Sequence, residues 1–202
     1  DDSLQESFNQ QLLQGSALRI PLKKIESIMS YIPASATSHN FDIAMSRSYT
    51  RLASIYATFF HGAPSATNML ADKFYVPPGL HTKENLAWSL QLGTLRLPDN
   101  DSIGLTESWW RLLNCVGIAG SLAHTNGITQ ADYESNSFAI AVDVEKISHL
   151  ASSGVNLSNT STLHLKLKDV GSTGSDLPSQ CQLIAVYDSI LEIRDPTCEI
   201  FE

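Results

Sequence analysis

The stretch SSGVNLSNTSTLHLKL, Ser152–Leu167, changes character halfway along. Its first half is built of Ser, Gly, Asn and Thr, residues that turn a chain and hydrogen-bond their own backbone. Its second half alternates. Leu163, Leu165 and Leu167 fall on one side, while His164 and Lys166, with Lys168 just beyond, fall on the other. Successive side chains of a strand point to opposite faces, so this is a strand with an apolar face toward a core and a polar face toward water.

The same period recurs on both sides of it. In LAWSLQL, Leu86, Trp88, Leu90 and Leu92 alternate with Ala87, Ser89 and Gln91. The apolar residues resume after Gly93 in the opposite phase, as Leu95 and Leu97, which predicts a β-bulge at the glycine. Pro98 and the following Asp-Asn-Asp predict a turn. SFAIAVDVEKI sets Phe138, Ile140, Val142 and Val144 on one face. QLIAVYDSILEI is apolar on both faces from Leu183 to Val186, as in a strand covered on both sides. Between it and the Leu163 strand, GSTGSDLPSQ reads as a long hairpin loop. FDIAMS and SYTRLASIYATFF supply earlier strands rich in Tyr, Ile, Thr and Phe.

One helix is expected. Thr106 can cap it, Glu107 suits its positive N-terminus, and Trp109, Leu112, Leu113 and Val116 follow at helical spacing before Gly117. Of the Trp109–Trp110 pair, one indole is expected in the core and the other at the helix edge. Seven or eight strands, one short helix and no βαβ rhythm predict an all-β sandwich or barrel. Residues 16–195 make up that domain, residues 1–15 read as a Gln-rich arm or linker, and residues 196–202 read as a C-terminal tail. No internal repeat is visible.

Composition narrows the function. The chain has 202 residues, 43% hydrophobic and 17% charged, enough to bury a real core. No run approaches the roughly 20 apolar residues that would span a bilayer. The N-terminal DDSLQESFNQQ is acidic and polar, unlike a secretory signal, and the missing initiator Met suggests a processed chain or a fragment. Residues 1–100 hold 8 cations and 8 carboxylates, residues 101–202 hold 5 and 13, so the net charge of −8 sits in the second half. Such a half is a poor ligand for nucleic acid phosphates.

Cys115, Cys181 and Cys198 are odd in number and lack CxxC spacing, so buried free thiols in a reducing compartment are expected. Asn100, Asn156 and Asn159 begin N-x-S sequons that are expected to stay unmodified. His39, His61, His81, His124, His149 and His164 form none of the paired spacings that place two imidazoles on one metal. His81 with Glu84, Cys115 with His124, and Asp143 with Glu145 are the nearest approaches to a metal, nucleophilic or acid–base pair, and each is better read as structural. No catalytic residue, metal ligand or cofactor site is expected.

The segment Glu134–Leu167 does resemble a known pattern. Ser137–Phe138–Ala139–Ile140, then Ser153, Gly154, Asn156 and Ser158, then Leu163, Leu165 and Leu167, are similar to the signature of double jelly-roll major capsid proteins. Those proteins build the shells of nucleocytoplasmic large DNA viruses, virophages and polinton-like viruses. Leu191 and Ile193 resemble the end of the family's closing strand. The Trp88–Leu113 region resembles, more loosely, its central strand and short helix. The resemblance covers about a third of the chain and is one of pattern.

It implies a jelly-roll sandwich of about eight strands with one short inserted helix. It also implies a virion location after assembly inside the host cell, a homotrimer that meets neighbouring capsomers, and no direct hold on nucleic acid. The family carries two rolls per chain and this chain has room for one, so a preceding jelly-roll domain is an expected partner. Gly154 is expected to permit a sharp turn, and Asn156, Ser158 and Asn159 to hold the loop without an apolar anchor. His61–Asn68 and Gly171–Gln180 are candidate loops for trimer contacts or for the outer surface. Two other readings stay open: a lectin-like or attachment module using Trp109, Trp110 or Tyr133, and a small barrel enzyme.

Overall fold

The computed structural model describes residues 2–32, 39–61, 74–77, 85–119, 127–145, 154–157, 162–171, 177–194 and 197–201. Helix α1 (Asp2–Leu13) leads into β1 (Leu18–Tyr31), β2 (Phe41–Met45), β3 (Leu52–Phe60), β4 (Ala87–Leu92) and β5 (Leu95–Ile103). Helices α2 (Gly104–Val116) and α3 (Gln130–Asn136) follow, then β6 (Ala139–Asp143), β7 (Leu163–Lys168), β8 (Gln180–Arg194) and β9 (Thr197–Phe201).

The pairing follows one simple rule. β1 pairs with β8, β2 with β7, β3 with β6 and β4 with β5, all antiparallel. That is a single long hairpin of four strand pairs. Rolled up, it brings β3 against β8 and β4 against β7, giving one sheet ordered β1-β8-β3-β6 and another ordered β2-β7-β4-β5. Two sheets closed from a rolled hairpin are a jelly roll, and the chain is an all-β protein of that fold.

The core lies between the sheets and follows the alternation. Ile55, Ala57 and Phe59 of β3, Cys181, Leu183, Ala185 and Tyr187 of β8, and Ile140 of β6 face Ile43 and Met45 of β2, Trp88, Leu90 and Leu92 of β4, and Leu163, Leu165 and Leu167 of β7. Helix α2 contacts β6 and β5, the edge strands on the same side of the two sheets. Trp88 Nε1 donates to Ser108 Oγ at 2.8 Å, and that hydroxyl donates to Gly104 O at 2.8 Å, so the buried indole leaves no polar group unmet.

Several local expectations are corrected. Gly93 (φ 62) is the first residue of a two-residue turn joining β4 to β5, with Leu92 opposite Leu95, and so marks a hairpin instead of a bulge. The irregularity lies on the other strand. Trp88 pairs with Ser102 and Leu90 with Leu97, so β5 accommodates Pro98–Asp101 inside its span where a terminating turn was expected. Proline has no N–H to give a ladder, which is why the register slips there. GSTGSDLPSQ joins strands of different sheets, so it is a crossing between layers and not a hairpin loop.

Helix α2 begins at Gly104, before Thr106, with Ile103 as N-cap. Glu107 Oε2 accepts from the Ile103 N–H at 3.0 Å, while no side chain caps the N–H groups of the first turn as a threonine hydroxyl would. Gly117 (φ 78) ends it, its N–H reaching back to Asn114 O. The buried face is Leu105, Ser108 and Cys115, with Trp109 and Leu112 packed on the core; Trp110 and Val116 are exposed. Among the described residues, two further helices occur beyond the one expected. The arm at residues 1–15 contains α1, and α3 is short and held by a capping box between Thr129 and Asp132. Residues 196–202, read as a tail, supply β9 against the far end of β8.

Candidate functional site

The residues that resemble the capsid signature fall into two groups. Most build the core. Phe138 is fully buried, its ring 5.9 Å from Phe59 and 5.4 Å from Tyr133. Tyr133 is held from behind by Trp109 at 4.9 Å and donates its hydroxyl to Ala139 O at 2.9 Å. Leu163, Leu165 and Leu167 line the opposite sheet, all buried. Tyr133 is therefore closed off from any ligand and Trp109 packs against it, while Trp110 alone of the three candidate aromatics is exposed.

Gly154 has a different role from the one expected. It does not have a positive φ; it is pressed against β3. A Cβ there would lie 2.5 Å from the Arg51 carbonyl carbon and 2.8 Å from Leu52 O, closer than real side chains approach backbone. The contact exists because residues 154–157 run along the start of β3. Leu52 N–H donates to Val155 O at 2.9 Å, Val155 N–H returns to Leu52 O at 2.8 Å, and Leu157 N–H donates to Tyr49 O at 2.7 Å. Leu157 is buried in the core, so the loop has the apolar anchor it was expected to lack, and Asn156 is exposed beside it. Ser153 and Ser158 lie outside the described residues, as do Asn159, residues 62–68 of the first candidate loop and residues 172–176 of the second.

The side chains considered for chemistry are spread apart. His39 Nδ1 lies 2.9 Å from Val170 O and His61 Nδ1 3.1 Å from Leu177 O, while His164 Nδ1 sits 2.8 Å from Asp42 Oδ1. His81, Glu84, His124 and His149 are outside the described residues. Among the described residues no group of three or more metal-ligating side chains comes together. Burial pushes the Cys115 thiol up to about 11 and Cys181 up to about 12, the opposite of what a nucleophile needs. Cys115 Sγ donates to Tyr56 Oη at 3.5 Å.

Leu191 and Ile193 make the second group, and they are not core. On β8 they continue the inward face of Cys181–Tyr187, but past the end of β3. There β8 is flanked, among the described residues, by β1 and β9. The register sets Leu18, Ile193 and Cys198 in one row and Ile20, Leu191 and Ile200 in the next. Ile20 is 36% exposed and Ile200 51%. The opposite face of this three-stranded extension carries Arg19, Glu192 and Glu199, with Arg19 Nε donating to Glu192 Oε2 at 2.8 Å. Sequence reading found Leu191 and Ile193 but missed Leu18, Ile20 and Ile200. The only signal for those is a short alternation, Leu-x-Ile in β1 and Cys-x-Ile in β9.

No protein-family model and no curated protein matches the sequence. Solved structures do. PBCV-1 VP54, in a crystal structure fitted into a cryo-EM reconstruction of the virophage Sputnik, superposes with a TM-score of 0.60 at 11% identity over 99% of this chain. A quasi-atomic model of the PBCV-1 virus capsid gives 0.56 at 12% over 96%, and the 3.5 Å cryo-EM structure of the Sputnik virophage gives 0.51 at 11% over 91%. The chain spans 54% of the first two chains and 38% of the third. At these identities the likeness establishes the fold: a jelly roll of the kind seen in virus capsid structures.

Proposed function

We propose that this chain is a structural capsid protein, the C-terminal jelly roll of a double jelly-roll major capsid protein, which trimerises through its flanks and tiles an icosahedral shell. One observation carries the reading: the likeness to capsid structures runs over 99% of this chain but only 54% of the VP54 chain, as one roll of two would. The capsid-like signature at Phe138, Gly154, Leu163, Leu165, Leu191 and Ile193 supports it independently of overall shape. No step of chemistry is assigned to any residue. The work of the protein is to hold a rigid sandwich and offer surfaces to its neighbours: copies of itself, adjoining capsomers and a preceding roll. The apolar rows on β1, β8 and β9 are the flank assigned to those contacts, because contiguous exposed apolar surface of this kind marks association sites. The protein belongs in the virion, without a direct hold on the genome.

Electron microscopy of the purified chain tests the reading. Compact particles with three-fold symmetry are the expected result. Uniform monomers whose aromatic residues bind a sugar or peptide would replace it with the attachment-module reading.

A further inference from the structure

The outer face of the β2-β7-β4-β5 sheet faces away from the core and is unlike the rest of this acidic chain. The register places Lys166 between Asp42 and Ser89, and Gln91 between His164 and Arg96. Ser89, Gln91, Thr94, Arg96, Lys166 and Lys168 line a shallow cleft of ≈ 370 Å³ there. Asp101 reaches in from β5, accepting from Lys168 Nζ at 2.7 Å and pairing with Arg96. Lys166 forms no ion pair among the described residues. Counting Asp101 and the neighbouring Asp42, this face carries a net +1 in a chain whose total is −8, so the remainder carries −9.

We infer that this cationic cleft docks the acidic surface of a second copy of the chain, forming a salt-sensitive contact between neighbouring capsid subunits. The inference rests on the capsid reading, and charge complementarity selects the occupant. A second copy carries a net charge of −8, so a basic face offers it an attractive contact. Nucleic acid is the weaker match. Tight phosphate binding recruits many cations, and single-strand grooves add stacking aromatics. This cleft has three cations, one carboxylate already tying two of them, and no aromatic side chain in its lining.

The test is sedimentation velocity of the wild type and Lys166→Glu across a series of NaCl concentrations. Lys166 breaks no internal ion pair when reversed, and Lys166→Gln with thermal melts serves as the folding control. Association of the wild type should strengthen as salt falls, and Lys166→Glu should weaken it on the order of tenfold at low salt. The small loss of melting temperature caused by a carboxylate opposite Asp42 is read separately in the melts, and Lys166→Gln should weaken association without it. Equal association of wild type and Lys166→Glu at every salt concentration overturns the inference. So does salt-sensitive binding of a short DNA duplex that Lys166→Glu abolishes, because the cleft then reads phosphate. Failure of the capsid reading is separate and shows in the mass at physiological salt, where Lys166→Glu and the wild type should be alike.

Discussion

Strand β8 holds two regions of contrasting fate. From Gln180 to Tyr187 it lies between β1 and β3, its inward side chains sealed by the opposite sheet. From Ile190 to Arg194 the same alternation continues between β1 and β9, yet its apolar row is left half open. The local rule, an apolar residue at every second position, is identical in both. What differs is cover. Alternation specifies which face of a strand is apolar, and only the second sheet decides whether that face becomes core or contact surface.

Breaking the covered region should have the largest effect. Phe138→Ala removes a ring packed between Phe59 and Tyr133 and should destabilise the fold by about 3–5 kcal/mol, measured by urea unfolding. Gly154→Ala forces a Cβ into the Arg51–Leu52 backbone, and a loss of roughly 2–3 kcal/mol is expected in the same assay. A glycine needed only for a turn would tolerate alanine far better, so this variant separates close approach from conformational freedom.

A smaller effect concerns acid. Burial raises the Asp101 carboxyl, but hydrogen bonds from Lys168, Arg96 and Ser89 outweigh it and bring it to about 2 from an ordinary 3.8. A carboxyl depressed in the folded state stabilises the protein above the unfolded value and loses that contribution as pH falls through the folded one. Wild-type unfolding midpoints should therefore drop between about pH 4 and pH 2. Asp101→Asn should be less stable near neutrality and show a shallower drop in that window. The smallest effect on folding is expected in the open region, where Ile200→Ser should change monomer stability by less than about 0.5 kcal/mol. Its consequence should appear in association instead.

Much of the fold is legible in the chain because period two is a strong signal wherever a sheet has one wet face. Phe138, Leu163, Leu165 and Leu167 could be assigned inward from alternation alone. The signal failed where a short local pattern has two solutions. A phase flip at a glycine fits either a bulge or a two-residue hairpin, and Gly93 takes the second. Strand partners were also illegible: β7 and β8 are neighbours in sequence but belong to different sheets, since the rolled hairpin matches strands far apart in the chain. Gly154 looked like a turn residue because its constraint comes from Arg51 and Leu52, about a hundred residues earlier in the sequence. Of the open face, Leu191 and Ile193 were visible through resemblance. Their partners Ile20 and Ile200 were not, since only the register of three strands brings them into one row.

The most direct measurement is the solution mass by light scattering behind a sizing column, for the wild type and for a variant carrying Ile20→Ser and Ile200→Ser. A wild-type mass near three times 22.1 kDa, falling to a single chain in the variant with little change in melting temperature, is the predicted result. A wild type that stays a monomer at all concentrations, or a trimer that the two serines leave intact, would contradict the assignment of the open β1–β8–β9 face to subunit contact.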